Sequence, residues 1–515
     1  MNNLRELLEE RAAREGDRPF LFWKDREIRY GEINLLANKA ANAFAALGWK
    51  KGDHVAVMLP NSPEYMVCWF GLAKIGAVLV AVNTQLKGES LRRCLGHADL
   101  RGIIFSAVSF PQVQEHASEL DIPSLLAEGV SPLGHVGSLP RLLEEASPEL
   151  PTDASISRFD PLVMTFTSGT TGMPKGVLNC HNASISAGRD ISLICRTRKE
   201  DRIFTYLPLY HANPQVYCVM GALVAGASLI LAERFSASAF WDQVRNHQAT
   251  MFSYVGTILT ILLKQPEAPR EREHTVKVCF GGGAPGDMAQ RFQDRFRVKV
   301  LELYGMSETG AFNTMNTLEK SKVGSVGPIR EGFDVRLFNE EDEEVPDGTV
   351  GEFVIRPLKP GLMFDGYYKQ PEETLKSYRN LWFHTGDLGR RDAEGFFYCV
   401  GRNKETIRKG GENISPGEIE AVLNDHPHIL ESAVVGVPDE ILEEEIKAYI
   451  VVKEGKTVEP EEIYGWCSER LAPFMVPRYI ESVESLPKTG SSKVQKTLLK
   501  ELGVGSAWEK KRRTK

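Results

Sequence analysis

Apolar positions along the chain fall into two rhythms, and their order predicts the architecture. Residues 32–47 carry apolar side chains at helical spacing and stop at Gly48, 53–59 form a short continuous apolar run, 64–75 return to the helical period, and 76–83 are continuous again. Short apolar runs bounded by glycine and polar residues predict buried strands, so the order reads helix, strand, helix, strand. Strands joined through a helix lie parallel, with helices covering the sheet. The alternation recurs at 101–106 and 227–232, predicted as strands, and at 240–247, predicted as a helix. No repeat of fixed period is present, which predicts a layered body rather than a solenoid.

The rhythm shortens from about residue 325. Segments 334–339 and 351–355 read as strands around the acidic turn 340–344 and Pro346-Asp347-Gly348, a small β-rich subdomain with a solvated hairpin tip. Beyond Gly401-Arg402 the elements are short and mixed: a helix at 416–424, strands at 432–437 and 446–452, a helix at 460–471 and a closing segment to Lys500. The fold class predicted is α/β. A large N-terminal body of layered, helix-covered sheets spans 1–401, including the β-rich subdomain at about 325–401, and a small mobile α+β domain spans 402–515.

Composition narrows the partners. The 515 residues are 25% charged and 42% hydrophobic, the balance of a soluble globular chain too long for one ordinary core. A net charge of −7 supplies no basic field for nucleic acid. Only the end, Lys510-Lys511-Arg512-Arg513-Thr514-Lys515, is strongly basic; it reads as a solvated, frayed terminus, with phosphate or lipid headgroup binding as the alternative. The eight cysteines contain no C-x-x-C pair, which fits a reducing cytoplasm. Residues 1–19 are charged and helical in pattern rather than a signal peptide, and no apolar run is long enough to span a bilayer, so integral membrane association is not expected.

Chemistry concentrates in Thr165-Phe166-Thr167-Ser168-Gly169-Thr170-Thr171-Gly172-Met173-Pro174-Lys175-Gly176, hydroxyls, glycines and one lysine between apolar segments. Glycines let successive N–H groups converge on one anion, hydroxyls add donors or a magnesium ligand, and the lysine adds a positive charge. A flexible connector is the alternative for a lone loop of this kind. It is not a Walker A loop, because Pro174 stands where that motif requires glycine.

The order Thr167 to Gly176 resembles the signature of the adenylate-forming superfamily: acyl-CoA synthetases, beetle luciferases and the adenylation domains of peptide synthetases. Four further motifs in matching order extend the resemblance over the whole chain: Gly281-Gly282-Gly283-Ala284-Pro285, Tyr304-Gly305-Met306-Ser307-Glu308-Thr309-Gly310, His384-Thr385-Gly386-Asp387-Leu388-Gly389, and Lys493 in its C-terminal loop. The resemblance implies a ligase that uses ATP, Mg2+ and coenzyme A to activate a small carboxylic acid as acyl-AMP, releasing pyrophosphate, and then passes the acyl group to the CoA thiol. Two mutually repelling anions must first meet, so positive charge and positioning carry the catalysis.

Residue by residue, the resemblance assigns ATP binding to Thr167, Ser168, Gly169, Thr170, Thr171, Gly172, Lys175, Gly283, Ala284, Pro285, Tyr304, Gly305, Asp387 and Arg402. Tyr304 flanks the adenine, Asp387 and Arg402 hold the ribose, Thr309 reaches the α-phosphate, and Glu308 with Thr170 holds the magnesium. Lys493 is the catalytic lysine, although Ser492 precedes it where the family has glycine. Lys404 is the hinge, and Arg408 with Lys409, Gly410 and Gly411 forms the loop that approaches acyl-adenylate and CoA. His211, Val255, Gly256, Gly281, Gly282, Met306 and Gly310 line the acyl pocket. Segments 68–77, 240–244 and 408–413 resemble the branch of crotonobetaine/carnitine–CoA ligases and related fatty acyl-CoA synthetases. A trimethylammonium substrate needs an aromatic cage, for which Tyr210, Tyr217 and Phe312 are the candidates. The other readings are a fatty acyl-AMP ligase loading a separate carrier protein and, in a different class, a catalytically silent nucleotide-binding regulator. A homodimer is an admissible assembly.

Overall fold

The computed structural model describes the chain except residues 1, 87, 120–123, 128–135, 151–154, 168–173, 285, 403–406, 410–411, 415, 440–441, 472, 490–492 and 512–515. It divides into two compact units, Met1–Val335 with Ile355–Phe383, and Arg336–Val354 with His384–Lys515. Among the described residues no helix is long and apolar enough to cross a membrane.

The first unit is built on two sheets. One has seven strands in the order Val136–Ser138, Ser124–Leu126, Leu100–Phe105, His54–Met58, Val78–Ala81, Pro161–Thr167 and Lys175–Cys180, all parallel except the last. The other has eight: Thr314–Met315, Lys299–Tyr304, Val278–Gly282, Met251–Val255, Arg202–Thr205, Ser228–Leu231, Pro19–Trp23 and Arg26–Arg29. Its last two strands are an N-terminal hairpin that joins in parallel to Ser228–Leu231, with Leu21 opposite Leu229 and Phe22 opposite Ile230.

Strand periodicity shows why both sheets read as continuous apolar runs. Val55, Val57 and Leu79 enter a core shared with Leu21, Leu229 and Leu231 of the other sheet, while Ala56, Met58, Val78 and Val80 enter a separate core with Leu91 and Leu95. Successive side chains point to opposite faces, and both faces are covered. The eight-stranded sheet is likewise covered on its far side, where Phe204, Ile230 and Phe252 pack against Phe240, Leu259 and Phe292.

The helix Pro63–Ile75 lies in the shared core. Ser62 caps it by accepting the Tyr65 N–H at 3.3 Å, Pro63 opens it, and Gly76 ends it at φ 73°. Its Lys74 is fully buried, and burial holds its ammonium below the ordinary range, while Glu9 of the helix Leu4–Glu15 pairs with it at 3.0 Å. The expected helix at 32–47 is observed as Tyr30–Ala46.

In the second unit Ile429–Asp439 and Glu443–Val452 form a long antiparallel pair, and Tyr479–Ser482 lies parallel to the latter. The helices Pro416–Asn424 and Pro460–Arg470 pack on one face through Ile419, Leu423, Ile463 and Cys467. The segment containing Lys496–Glu501 covers the other through Leu486 and Leu499. Of the basic end expected to be frayed, residues 512–515 lie outside the described residues, and the second unit continues past Lys500. Trp508–Glu509 adds a strand antiparallel to Tyr479–Ser482, and the Lys510 N–H donates to the Arg478 carbonyl at 2.9 Å.

Candidate active site

In the first unit the strands Pro161–Thr167 and Lys175–Cys180 pair with Thr167 opposite Lys175, so the two residues form the mouth of the Ser/Thr/Gly loop. Lys175 Nζ lies 2.8 Å from Glu373 Oε2 and 4.7 Å from the centre of the Tyr367 ring. Hydrogen bonds from Lys175 and then Lys376 hold the Glu373 carboxyl down to about 2. The Tyr367 hydroxyl donates to Glu308 Oε1 at 3.1 Å, with burial and Glu308 holding the phenol far above its ordinary range. One tyrosine thus joins the lysine of the loop to the glutamate of a motif more than a hundred residues away.

Glu308 is buried on the single 3-10 turn Ser307–Thr309, just past the C-terminal end of Lys299–Tyr304, where ligand sites of open α/β sheets lie. Two bonds fix the turn: Asn179 Nδ2 donates to the Ser307 carbonyl at 3.0 Å and the Phe364 N–H to the Glu308 carbonyl at 3.0 Å. Gly310 ends it at φ 69°, and a Cβ there would stand 1.9 Å from the Leu362 carbonyl oxygen. Thr309 is fully buried; its hydroxyl donates to the Met306 carbonyl and accepts the Met306 N–H, both at 3.2 Å. In this conformation that hydroxyl shapes the turn.

The glycine turn is packed backbone to backbone. Tyr254 pairs with Gly281 and Val255 with Gly282 across neighbouring parallel strands, and a Cβ on Gly256 would stand 1.7 Å from the Gly283 carbonyl oxygen. Val255, Gly256, Gly281, Gly282, Gly283 and Ala284 are therefore brought together at the strand ends. Glu302 lies beneath them. Its Oε1 accepts the Ala284 N–H at 2.7 Å and its Oε2 accepts the Tyr254 hydroxyl. Burial pushes this carboxyl up to about 8, against the hydrogen bonds from Tyr254, Ala284 and Gly283.

His211 follows Tyr210, their rings 4.7 Å apart, and burial holds its imidazole down to about 4, so it is uncharged at neutral pH. The π-helix Pro214–Met220 begins three residues later, a geometry concentrated at functional sites. Two of the three candidate cage residues are engaged internally. The Tyr217 hydroxyl donates to the Ala311 carbonyl at 2.8 Å, Phe312 is fully buried, and the Arg330 guanidinium, paired with Asp190 at 2.8 Å, already sits 4.6 Å over the Phe312 ring. A small cavity of about 10 Å³ lies among Thr165, Asn179, Gln215, Ser307 and Gly310, space for about one water and too small for an acyl group. Of the residues assigned to the acyl pocket, Gly310 borders it.

In the second unit Asp387 is buried on Trp382–Arg391, in register with Arg402 on Phe397–Arg402. Its N–H donates to Thr385 Oγ1 at 3.1 Å, and Thr385 in turn donates to the Phe353 carbonyl at 2.8 Å. Glu352 braces the same turn, bonding His384 Nδ1 at 2.9 Å and the Gly386 N–H at 2.8 Å. Lys493 is exposed; its N–H donates to Thr489 Oγ1 at 3.2 Å while its carbonyl accepts the Thr489 N–H at 2.7 Å. Ser168, Gly169, Thr170, Thr171, Gly172, Pro285, Lys404, Gly410 and Gly411 lie outside the described residues, as do the side chains of Arg402 and Arg408.

Sequence reading missed Glu302, Glu352, Tyr367 and Glu373. Only Glu302 carried a signal, a carboxylate inside the apolar run Val300-Leu301-Glu302-Leu303.

Comparison with known proteins agrees with this geometry. The family model described as AMP-binding enzyme matches residues 8–368, and that of the AMP-binding enzyme C-terminal domain matches 418–493. A crotonobetaine/carnitine–CoA ligase of Salmonella agona is 35% identical over 511 residues, covering 97% of this chain and 99% of the relative. The anthranilate CoA ligase AuaEII in complex with anthranoyl-AMP superposes with a TM-score of 0.90 at 25% identity, covering 97% and 96% of the two chains. ATP-bound MatB from Rhodopseudomonas palustris superposes at 0.85 with 29% identity, covering 97% and 99%. With Lys175 at a strand end, Glu308 buried on the turn past another and Asp387 buried on a third strand, the chain belongs to the AMP-binding enzyme family, among its acid–CoA ligases.

Proposed function

We propose that the protein joins a carboxylic acid to coenzyme A in two steps at one site, forming acyl-AMP from ATP and then the thioester. The observation that carries this reading is the chain of contacts from Lys175 through Tyr367 to Glu308, which sets a cation and a buried carboxylate at the mouth of a phosphate-type loop. Glu373 holds Lys175 in position until triphosphate oxygens replace it. Thr167, the loop Ser168 to Gly172, Gly283, Ala284, Pro285, Tyr304 and Gly305 take the nucleotide, and Asp387 with Arg402 takes the ribose diol, an acceptor-only carboxylate suiting two hydroxyl donors.

Magnesium fits this donor set. Glu308 and Thr170 offer hard oxygen ligands, and Mg2+ is usually held by one or two carboxylates together with substrate phosphates. Among the described residues no group of three or more His, Cys, Asp or Glu side chains forms a dedicated metal cage. When bound, the ion neutralises phosphate charge as the carboxylate approaches.

The segment from 402 onward acts as a domain turning about Lys404. Lys493 bridges carboxylate and α-phosphate in the first step, and the loop of Arg408, Lys409, Gly410 and Gly411 replaces it when the thiol attacks. Thr309 reaches the α-phosphate only if its hydroxyl leaves Met306. His211, Val255, Gly256, Gly281, Gly282, Met306 and Gly310 border the acyl group. Arg330 sits over the Phe312 ring and the Tyr217 hydroxyl is internally bonded, so of the three aromatic candidates Tyr210 is the one to test against a trimethylammonium acid. The eight cysteines, none in a disulfide, support a cytoplasmic location.

Acid-dependent ATP–pyrophosphate exchange followed by consumption of free CoA, screened across short, medium, long, aromatic and betaine acids, tests the reading. Exchange without CoA consumption would point to a carrier-protein acceptor, and no exchange with any acid to a nucleotide-binding regulator.

A further inference from the structure

The neighbouring parallel strands Met251–Val255, Val278–Gly282 and Lys299–Tyr304 place Tyr254, Gly281 and Glu302 in one row, Tyr254 in register with Gly281 and Gly281 with Glu302. Partners in register point to the same face, so the missing side chain at Gly281 leaves a lane between the other two. The Tyr254 phenol fills it and its hydroxyl reaches Glu302 Oε2. A Cβ on Gly281 would stand 3.0 Å from Tyr254 Cδ2 and 2.1 Å from the Tyr254 carbonyl oxygen, so no larger residue fits the row. Past the strand ends the same carboxyl gathers the turn: its Oε1 accepts the Ala284 N–H at 2.7 Å, and the Gly283 backbone also bonds to it. Gly283 stands at φ 90°, and the Glu302 carbonyl accepts the Asn316 N–H at 2.9 Å. One side chain thus ties the ends of three strands to the glycine turn.

A carboxyl is costly in this place, because the face it joins is an apolar core of Phe252, Leu259 and Phe292. Glu302 and Tyr254 are both buried. The titratable groups around the carboxyl are Tyr254, Cys279 on the middle strand and, beyond them, Tyr206; among the described residues none of these is a cation. Burial accordingly pushes the carboxyl up to about 8, opposed by the hydrogen bonds from Tyr254, Ala284 and Gly283. A neutral acid both donates and accepts here, whereas a carboxylate only accepts and leaves a bare charge beneath the turn. Ionisation therefore favours any movement of the turn that admits water.

We propose that Glu302 is a positioning residue for the ligase reaction: touching neither substrate, it anchors Gly283 and Ala284 to Tyr254 and so fixes the glycine turn at which nucleotide and acyl group meet. The assignment rests on the acid–CoA ligase reading, which gives Gly283 and Ala284 to the nucleotide and Gly281 and Gly282 to the acyl group. The brace works with its proton on. Loss of that proton releases the turn, so ATP binds more weakly as pH rises, while the groups that perform the chemistry are unaltered once ATP is seated.

The test measures KM for ATP and kcat in acid-dependent ATP–pyrophosphate exchange between pH 6.5 and 9 for the full-length enzyme, Glu302→Gln and Tyr254→Phe. Glutamine keeps the shape without titrating, so the ratio of the parent KM to that of Glu302→Gln cancels every other titration. For one proton released near pH 8 that ratio should rise about eightfold between pH 7.5 and 9, with the kcat ratio changing less than about twofold. Tyr254→Phe removes a hydrogen bond that favours the charged carboxylate, so its KM should begin to rise at a higher pH than the parent's. A brace that only filled space would move neither midpoint, and the Tyr254→Phe midpoint carries the test if Glu302→Gln does not fold. Calorimetric binding of ATP over the same pH range needs no turnover, so it separates this proposal from the ligase reading. Parent binding that weakens toward pH 9 while Glu302→Gln stays level supports the positioning role even if no acid is activated. A KM ratio constant to within about twofold, or a Tyr254→Phe midpoint equal to the parent's, overturns it. A fall in kcat at unchanged KM that tracks loss of native fluorescence also overturns it, assigning the proton to global stability alone.

Discussion

Glu302→Gln isolates the consequence of a single buried proton. The Glu302 carboxyl is pushed up to about 8 by burial from its ordinary 4.5, which it regains in the unfolded chain. Because the folded state binds this proton more tightly, the stabilisation it provides is complete below pH about 4.5 and is lost progressively as pH rises through about 8. Each pH unit in that window changes stability by about 1.4 kcal/mol for one proton, so the interval from pH 5 to pH 8 corresponds to about 4 kcal/mol. Glutamine keeps the shape and does not titrate: its carbonyl accepts the Ala284 N–H and its amide donates to the Tyr254 oxygen. In urea unfolding followed by intrinsic fluorescence at pH 5, 6.5, 8 and 9, stability should shift in favour of the variant by about 4 kcal/mol between the first and last conditions. Parallel pH dependences of parent and variant, constant to within about 0.5 kcal/mol, would refute the reasoning. Glu302→Ala should also abolish the pH dependence while destabilising at every pH, since it leaves the Tyr254 hydroxyl and the Ala284 N–H without their acceptor, at about 1–3 kcal/mol each.

Other outcomes follow from the site and its surroundings. Lys493→Ala should lower acid-dependent ATP–pyrophosphate exchange at least about 100-fold yet spare thioester formation from supplied acyl-AMP, and Lys404→Pro should do the reverse; equal damage to both half-reactions in each variant would count against alternation of the C-terminal domain. Glu308→Gln should reduce exchange by about 100-fold and raise the magnesium concentration needed for half-maximal rate, whereas an unaltered magnesium dependence would remove Glu308 from the metal site. Cys399 is exposed and the other seven cysteines are buried, so a thiol reagent such as DTNB should label one cysteine quickly in the native protein; rapid release of two or more equivalents would contradict the packing.

Much of the fold was legible because burial on both faces leaves a plain mark. The runs at 53–59 and 76–83 were readable as strands, and Gly48 after the helix at 32–47 as a stop, since neither depends on a distant partner. What could not be read was non-local. Nothing in Pro19–Trp23 indicates that it pairs with Ser228–Leu231, and two-residue strands such as Trp508–Glu509 carry no periodicity at all. The site divides in the same way. Lys175, Glu308 and Asp387 were legible through motif order, but Tyr367 and Glu373 act only through proximity created by folding. For a related reason sequence names aromatic rings without showing that Arg330 sits over one of them, Phe312.

The hairpin Pro19–Arg29 has a consequence for biosynthesis. Its parallel neighbour is encoded about 200 residues downstream, so at about 5–20 residues per second a ribosome needs on the order of 10–40 s to supply it. Throughout that interval Phe20 and Leu21, both fully enclosed in the finished protein, lack their final neighbours on an open strand edge. Yield in a foreign host should therefore depend on chaperone supply and elongation speed during the first half of translation, and a circular permutant that begins just before residue 200 would shorten the wait.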